Sequence, residues 1–305
     1  MDLDLSDDQV SLRDGIASML EGRFGSDRIR AGFDRAMFDE LAGAGVFSLR
    51  TDGFSWADCV VVFEQLGRFC VPGPLVASLL FGGRRITGLV DDAEPAWIEH
   101  LDTLDDVVVL SGLDARSVEA GALAGEASSW PLDPLTPVTK VAALPVGDTI
   151  NVDGAEIRRG GATLTAALQL GLADRCTELA VAYAKERVQF DRPIGAFQAI
   201  KHLCADMLVR TEVARAAVYA AGAHLDGVDL ASYADLDRGI SGAKVMAGEA
   251  AIMNGKAATQ VFGGMGFTWE VDVHLYLKRA WVLDTHFGSA DAHADVVAGA
   301  LVAGT

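Results

Sequence analysis

The chain has 305 residues, of which 50% are hydrophobic, and this is enough for one large domain or two modest ones. Its formal net charge of −18 would repel a polyanion, which argues against nucleic acid as a partner. Apolar runs are interrupted well before the roughly 18 residues that a membrane span needs, and the acidic start MDLDLSDDQ lacks the basic segment of a secretory signal. The four cysteines form no C-x-x-C pair and are interpreted as reduced packing residues. We therefore expect a cytoplasmic protein with no membrane partner.

Residues 1–85 are predicted to form an N-terminal helical domain. Ser6 and Gln9 form an S-x-x-Q capping box ahead of apolar residues at helical spacing, so a first helix begins there. A second helix is predicted through Phe38 to Ala44 and a third through Trp56 to Phe69. The prolines at 72 and 74 then interrupt the helical pattern.

Residues 86–158 are predicted to form a shortened β middle domain. The β-branched run at 107–110 is typical of a short strand, and further strands are predicted at 138–143 and 149–152. Turn signals separate these pieces, among them Asp153-Gly154.

Residues 159–305 are predicted to form a C-terminal bundle of four helices. Apolar residues recur at helical spacing from about 161 to 302, and Ala243 to Ala258 is rich in small residues that suit a tightly packed helix. Glycines at 263–266 end that helix, and a last helix is expected from Ala290 to Leu301. The fold class is therefore α+β and mostly α, with a β module between two helical domains.

Short motifs in a fixed order carry more specific information than the periodicity. They read LSDDQ at 5–9, EQLGR at 64–68, RVQFDRPI at 187–194, FQAI and ADM within 197–207, QVFGGMGF at 260–267 and YLKRA at 276–280. In this order and spacing the chain resembles the acyl-CoA dehydrogenase family. The resemblance covers both helical regions and fades between residues 86 and 158, and it implies the acyl-CoA dehydrogenase fold.

The resemblance implies an FAD that lies across a subunit interface, with its flavin on one subunit and its pyrophosphate and adenine reaching the neighbour. Arg187 would contact the diphosphate, since a guanidinium supplies forked, charged donors. Adjacent glycines at 263 and 264 would let a ligand approach the main chain, although such a pair is also typical of a plain helix C-cap. The implied cofactor-binding residues are Arg187, Gln189, Phe190, Gln198, Gln260, Val261, Phe262, Gly263 and Gly264; no metal site is predicted.

The residue that would act as the catalytic base is missing from the two positions where the family carries it. Desaturation of an acyl-CoA thioester needs a base for the α-proton while hydride leaves the β-carbon. By resemblance the usual position is Phe287, which cannot accept a proton, and the position that some members use instead is Gly161. No catalytic residue is therefore predicted, and only His286 and Asp291 are left as weak candidates for a relocated base.

The family's flavin-cradling loops, T-E-x-x-x-G-S-D and a W-I-T-N-like strand, are also not found in the middle region. A chain that keeps residues for a neighbour's FAD and lacks those for its own chemistry resembles the non-catalytic, shortened subunit of bacterial α2β2 acyl-CoA dehydrogenases that act on steroid-CoA thioesters. The resemblance thus implies a second, base-bearing dehydrogenase-like subunit as partner, an acyl-CoA substrate and FAD.

Three other readings stay open at this stage. One is a self-sufficient acyl-CoA dehydrogenase with a relocated base near His286 or Asp291. Another is a flavin monooxygenase on the same fold, which needs no α-proton base. The third is a non-enzymatic scaffold subunit that makes no contact with FAD.

Overall fold

The computed structural model describes residues 4–228 and 235–303. The chain forms two compact units: the first takes in the N-terminal segment to Ser26, Trp56–Val71 and the chain from Ala162 onward, and the second takes in Asp27–Ser55 and Pro72–Gly161. The first unit is helical and the second contains the larger sheets, which confirms the predicted α+β, mostly helical class. The domain boundaries after residues 85 and 158 stay predictions.

The predicted helices are confirmed to within a few residues at most of their ends, whereas α2, α5 and α9 have no counterpart among them. Helix α6 begins at Gly154, before the expected start near 161, and α8 extends well beyond Ala243 to Ala258 in both directions. No helix of the described residues is both long and apolar enough to cross a membrane. The α-helices of the described chain are α1 (Asp7–Arg23), α2 (Ser26–Arg30), α3 (Arg35–Gly43), α4 (Trp56–Arg68), α5 (Leu75–Leu80), α6 (Gly154–Glu186), α7 (Gln198–Leu225), α8 (Leu236–Phe262), α9 (Val273–Thr285) and α10 (Ala290–Ala303).

Helix α1 starts at the capping box that the sequence predicts. The Ser6 hydroxyl accepts from the Gln9 main-chain N–H at 3.2 Å, and the Gln9 side-chain oxygen accepts from the Ser6 N–H at 3.1 Å. The Gln9 amide also donates to Asp58 at 2.9 Å and ties α1 to α4. One residue therefore both starts its own helix and fixes it to a neighbour.

Helices α4 and α6 approach each other through two glycines. A Cβ added to Gly67 would overlap the main chain of Leu168, and one added to Gly171 would lie 2.6 Å from the main-chain nitrogen of Arg68. The main chains of the two helices are thus in contact, and only residues without a side chain fit at these positions.

A buried carboxylate lies where α4, α6 and α7 meet. Glu64 is only 2% exposed, and its carboxylate pairs with the Arg215 guanidinium and accepts from the Tyr219 hydroxyl at 2.6 Å. Arg215 also contacts Asp174 at 3.2 Å, and Asp174 pairs with Arg68. Burial of a charge is tolerated when the charge is paired and hydrogen-bonded in this way.

Asn254 links α8 to α7 in the interior of the first unit. Its side-chain amide donates to the Met207 carbonyl oxygen at 2.9 Å and to the Thr211 hydroxyl at 3.0 Å. Its side-chain oxygen accepts from Arg210 at 3.3 Å. These bonds fix the register of the two helices and set Asn254 level with the segment 207–211 of α7.

The second unit contains two small sheets, with strand orders β1-β3-β4-β7 and β2-β6-β5. The predicted strand at 107–110 is the buried centre of β3, and the predicted strands near 138 and 149 are β6 and β7. Strands β1 and β3 are parallel, and the other pairs in these sheets are antiparallel. The strands are β1 (Thr87–Asp91), β2 (Ala96–Glu99), β3 (Asp106–Ser111), β4 (Asp114–Glu119), β5 (Glu126–Ala127), β6 (Val138–Val141) and β7 (Asp148–Ile150).

Candidate functional site

One end of the helical unit brings together segments that are far apart in the chain. The ring of Tyr183 in α6 stacks on the ring of Phe262, the last residue of α8, with centroids 4.1 Å apart and planes inclined by 14°. The Arg187 N–H donates to the Tyr183 carbonyl oxygen at 2.9 Å, so Arg187 directly follows the helix. Because Gly263 follows Phe262, this aromatic stack brings two of the predicted cofactor motifs to the same end of the unit.

A short hairpin presents the residues after Arg187. Strands β8 (Val188–Gln189) and β9 (Arg192–Pro193) pair antiparallel, and the two residues between them, Phe190 and Asp191, have φ of 53° and 61°. Positive φ at both positions is the geometry of a type I′ turn, which matches the twist of a two-residue hairpin. Phe190 is 86% exposed at the tip, so the turn holds an aromatic ring out towards solvent.

Helix α7 begins next to this hairpin, and its N-terminal end, the positive end of the helix dipole, has no side-chain cap. Gln198 is its first residue and is exposed, and its N-cap residue Phe197 provides no side-chain hydrogen bond to the first turn. The Phe197 ring lies 4.1 Å from the Arg192 guanidinium and meets the Phe190 ring edge-on at 6.0 Å. The exposed Arg187 and the first N–H groups of α7 are both suited to binding an anion.

The glycine pair ends α8 and leaves open space. Gly263 has φ of 63°, and its N–H donates to the Gln260 carbonyl oxygen, so it does act as the helix C-cap. A Cβ added to Gly263 or Gly264 would meet no atom within 4 Å, and Gln260 is exposed beside them. Both readings of the pair therefore hold geometrically, since it caps the helix and also leaves room for a ligand against the main chain. Val261 is buried and Phe262 lies in the aromatic stack, so any contact from Val261 would come from its main chain.

The loop at the position of the missing base is fixed by hydrogen bonds. Phe287 has φ of 56° and Gly288 of 109°, and the Phe287 carbonyl oxygen lies 3.0 Å from His293 Nε2. His293 Nδ1 lies 3.0 Å from the Ser241 hydroxyl. Burial, and then the charge of Lys244, lower the pKa of His293. A neutral His293 would donate from Nε2 to the carbonyl and accept from Ser241, because a carbonyl can only accept.

Lys244 fixes the other side of this loop. Its side chain is fully buried, and its ammonium lies 3.2 Å from the carbonyl oxygens of Leu283 and Asp284 at the end of α9. A cation at the C-terminal end of a helix binds carbonyls that have no partner inside the helix. Lys244 is not among the residues that the sequence analysis singles out; the only signal is a charged residue inside an otherwise small-residue helix.

The two weak base candidates lie at helix ends. His286 caps α9, and its main-chain N–H donates to the Leu283 carbonyl oxygen at 3.2 Å. Asp291 is exposed in the first turn of α10, where an acidic residue is favoured by the helix dipole. Gly161, the other family position, is buried within α6. His293, which the sequence analysis does not single out, contacts the Phe287 main chain.

The sequence of one curated relative decides the family. The chain is 32% identical over 301 residues to the acyl-CoA dehydrogenase IpdE2 of Mycobacterium tuberculosis, and the match covers 90% of this chain and 91% of the relative. This chain belongs to the acyl-CoA dehydrogenase family. The family model for the acyl-CoA dehydrogenase C-terminal domain matches residues 159–302, the region that contains the predicted cofactor motifs.

Two further comparisons are informative about length and fold. The chain is 32% identical over 302 residues to the acyl-CoA dehydrogenase FadE34 of M. tuberculosis, but that match covers 87% of this chain and only 42% of FadE34. A chain of the ChsE4-ChsE5 complex from M. tuberculosis has the same fold, with a TM-score of 0.80 at 19% identity over 99% of both chains. The predicted acyl-CoA dehydrogenase fold is thereby confirmed.

FAD is the cofactor of the acyl-CoA dehydrogenase family, in agreement with the sequence analysis. The end of the unit that carries Arg187 and Gly263 fits a dinucleotide, since it offers an exposed guanidinium, an uncapped helix N-terminus and open main chain. Which residues bind FAD stays a prediction.

The buried Lys244 is expected to make stability depend on pH. Burial lowers its pKa to about 8, below the roughly 10.4 of a lysine in an unfolded chain. Between these values the unfolded chain binds more protons than the folded one, so the free energy of unfolding should rise with pH by about 3 kcal/mol in total. In the variant Lys244→Met this contribution is absent.

The measurement is urea denaturation of both proteins at several pH values from 7.5 to about 10.5. The difference in free energy of unfolding between wild type and variant removes the contributions of all other titrating groups. If this difference stayed constant over the pH range, the pKa of Lys244 would be the same in the folded and the unfolded chain, and the prediction would be wrong.

Proposed function

We propose that this chain is the base-lacking subunit of a heteromeric FAD-dependent acyl-CoA dehydrogenase. Its role is to complete the FAD site at the interface with a second dehydrogenase-like subunit, which supplies the base for α,β-desaturation of an acyl-CoA thioester. By itself the chain is inactive. The proposal does not identify the acyl group of the substrate. The class that the sequence resemblance suggests is a steroid-CoA thioester.

The fixed Phe287 loop carries this proposal. The α-proton of the thioester needs a proton acceptor, and a phenylalanine stands at the family position of that acceptor. His293 and Lys244 bind main-chain atoms of the same loop and of the end of α9. These hydrogen bonds hold the loop in place although it carries no catalytic base. This is what we expect of a subunit that keeps the fold of the family without the catalytic residue.

The comparisons support a second polypeptide. A chain of the ChsE4-ChsE5 complex shares this fold. The match to FadE34 leaves more than half of that protein without a counterpart here, as expected if a longer chain also contains the part that a partner would supply. The proposed cofactor residues Arg187, Gln189, Phe190, Gln198 and Gln260 are all exposed, so a dinucleotide bound there would need a second surface to cover it.

Several residues at this end have separate roles in the proposal. A bound FAD would supply the acceptor for the hydride that leaves the β-carbon of the acyl group. Arg187 pairs with its diphosphate, and the N-terminal end of α7 with Gln198 adds main-chain donors. Gly263 and Gly264 would allow the adenine end of FAD to approach the main chain. The stack of Tyr183 on Phe262 holds the end of α6, which precedes Arg187, against the end of α8, which precedes the glycines.

Arg187→Ala is expected to weaken the binding of FAD to the assembled enzyme. Loss of a charge-assisted hydrogen bond to a diphosphate costs about 1.5–3 kcal/mol, or roughly a tenfold to hundredfold loss of affinity. The chain would be co-expressed with an adjacently encoded dehydrogenase-like chain, and FAD per assembly would be measured by absorbance together with acyl-CoA turnover. Wild-type activity is expected only in the co-purified pair.

The matched control is Arg23→Ala, which removes an exposed arginine at the end of α1. FAD content unaffected by Arg187→Ala would favour a scaffold subunit without cofactor contact. Turnover by the chain expressed alone, and its loss in His286→Ala, would favour the self-sufficient enzyme instead.

A further inference from the structure

A cleft with a volume of about 620 Å³ lies within the helical unit, between the start of the chain, α1, α4, α6 and α7. Small-molecule sites typically measure about 300–1,000 Å³, so the cleft is large enough for a metabolite. Asp174 of α6 lines the cleft and precedes Arg187 by 13 residues, or about 20 Å along the helix axis. The cleft therefore lies away from the proposed cofactor residues.

One side chain in the wall of the cleft is buried and has no partner. Gln65 of α4 lines the cleft and is only 5% exposed. Its side-chain amide forms no hydrogen bond to any other residue that the structure describes. An unpaired buried amide costs stability and is uncommon in native proteins. A ligand in the cleft would satisfy this amide, which can both donate and accept.

The cations of the cleft differ in how they are paired. Arg68 and Arg215 both form ion pairs with Asp174, inside the cleft. Arg13 pairs with Asp14, its exposed neighbour in α1, through Nε and Nη2, and its Nη1 has no partner in the described chain. An exposed pair of this kind is weak, so Arg13 keeps donors for an incoming anion.

The wall around Arg13 is apolar. Val10, Arg13 and Ala17 follow each other at spacings of three and four residues, so they share one face of α1, and all three line the cleft. Leu5 continues this wall before the helix begins. The cation thus lies beside a surface that suits a hydrocarbon chain.

The carboxylates of the cleft restrict the kind of anion. Glu64 and Asp174 line the same space, and like charges repel, so a phosphate dianion is disfavoured more than a singly charged carboxylate. A carboxylate also matches the planar fork of a guanidinium.

We propose that this cleft binds a small aliphatic monocarboxylate that carries a second, uncharged polar group. The carboxylate pairs with Arg13, the hydrocarbon chain covers Val10 and Ala17, and the polar group binds the amide of Gln65. The proposal goes beyond the proposed function and is independent of it, because none of these residues is a proposed FAD contact.

Isothermal titration calorimetry of the full-length chain tests the ligand class. The probe is ω-hydroxyoctanoate, compared with octanoate, which lacks the second polar group, and with octanediol, which lacks the charge. The hydroxy acid should bind most tightly. Arg13→Met should weaken its binding at least about tenfold, because a charge-assisted hydrogen bond is lost. Arg23→Met removes an exposed arginine at the end of the same helix and should have no effect.

Gln65→Leu separates ligand binding from a structural role. Leucine is similar in size and removes the unpaired amide, so the urea midpoint of the variant without ligand should not fall below that of wild type. The variant should bind ω-hydroxyoctanoate and octanoate equally well, because the group that distinguishes them is gone. A lower urea midpoint would mean that Gln65 supports the fold, and would contradict the proposal.

The proposal is also overturned if ω-hydroxyoctanoate does not bind wild type at millimolar concentrations, if Arg13→Met binds it as well as Arg23→Met does, or if inorganic phosphate binds as tightly. Circular dichroism verifies that each variant is folded. These measurements need neither FAD nor a partner chain, so their failure would be distinct from a failure of the proposed function.

Discussion

Gly171→Ala is expected to lower the free energy of unfolding of the chain by about 3 kcal/mol or more. The added Cβ would lie 2.6 Å from the main-chain nitrogen of Arg68 and would also overlap the Glu64 carbonyl. No rotamer change can relieve such a contact, because both groups belong to the main chain. Helices α4 and α6 would have to separate, which would disturb Glu64 in α4 and its contacts with Arg215 and Tyr219 of α7.

The matched control is Gly15→Ala in the middle of α1. Gly15 is exposed, and a Cβ added there would meet no atom within 4 Å, so the substitution should stabilise the helix by about 0.5–1 kcal/mol. Urea denaturation of both variants measures the two effects with opposite expected signs. Equal effects of the two substitutions would mean that α4 and α6 are not in main-chain contact.

Helices whose start is marked by a capping residue or by apolar periodicity could be predicted from local signals. The Ser6 capping box and the helix from Trp56 were found from neighbouring residues alone, because caps and periodicity act within one or two turns. The predicted start of α6, near residue 161, is wrong for an equally local reason, since the helix begins at Gly154. The sequence analysis interprets Asp153-Gly154 as a turn. In the structure Asp153 is an N-cap, and its side chain accepts from the main-chain N–H groups of Ala155 and Glu156 at 2.9 and 3.2 Å. The same residue types favour turns and N-caps.

Strand β4 is not predicted by the sequence analysis, and the reason is different. Strand β4 consists of Asp114–Glu119, and only Ala115 and Val118 of its six residues are buried. Polar residues with so little alternation resemble a loop until the neighbouring strands β3 and β7 supply their hydrogen bonds. Strand β3, by contrast, has a continuous buried core and was predicted from its β-branched run.

The candidate site was predictable only as separate motifs. The sequence resemblance named Arg187 and the glycine pair and identified Phe287 at the position of the base. It could not show that Tyr183 stacks on Phe262, because the two residues are 79 positions apart and no local pattern indicates that their rings are in contact. The role of Lys244 was hidden for the same reason, since its carbonyl partners are brought to it only by the packing of α8 against α9.

Arg215→Met is expected to destabilise the first unit by about 3 kcal/mol. The substitution leaves the Glu64 carboxylate buried without its guanidinium partner, and a lone buried charge costs several kcal/mol. The Tyr219 hydroxyl stays as one hydrogen-bond donor, which places the expected effect at the lower end of the range for a broken buried pair. Asp174 keeps its pairing with Arg68 in the variant.

A second variant separates the loss of the charge partner from a loss of packing. In Glu64→Gln/Arg215→Met the buried charge is gone, so a large part of the lost stability should return, because replacing both members of a buried pair costs less than removing one. Arg13→Met breaks an exposed pair with Asp14 and should change the free energy of unfolding by less than about 1 kcal/mol. If the double variant were as unstable as Arg215→Met, the stem of Arg215 and not its charge would hold α7 against α4, and the motif EQLGR would then matter here for shape rather than for its carboxylate.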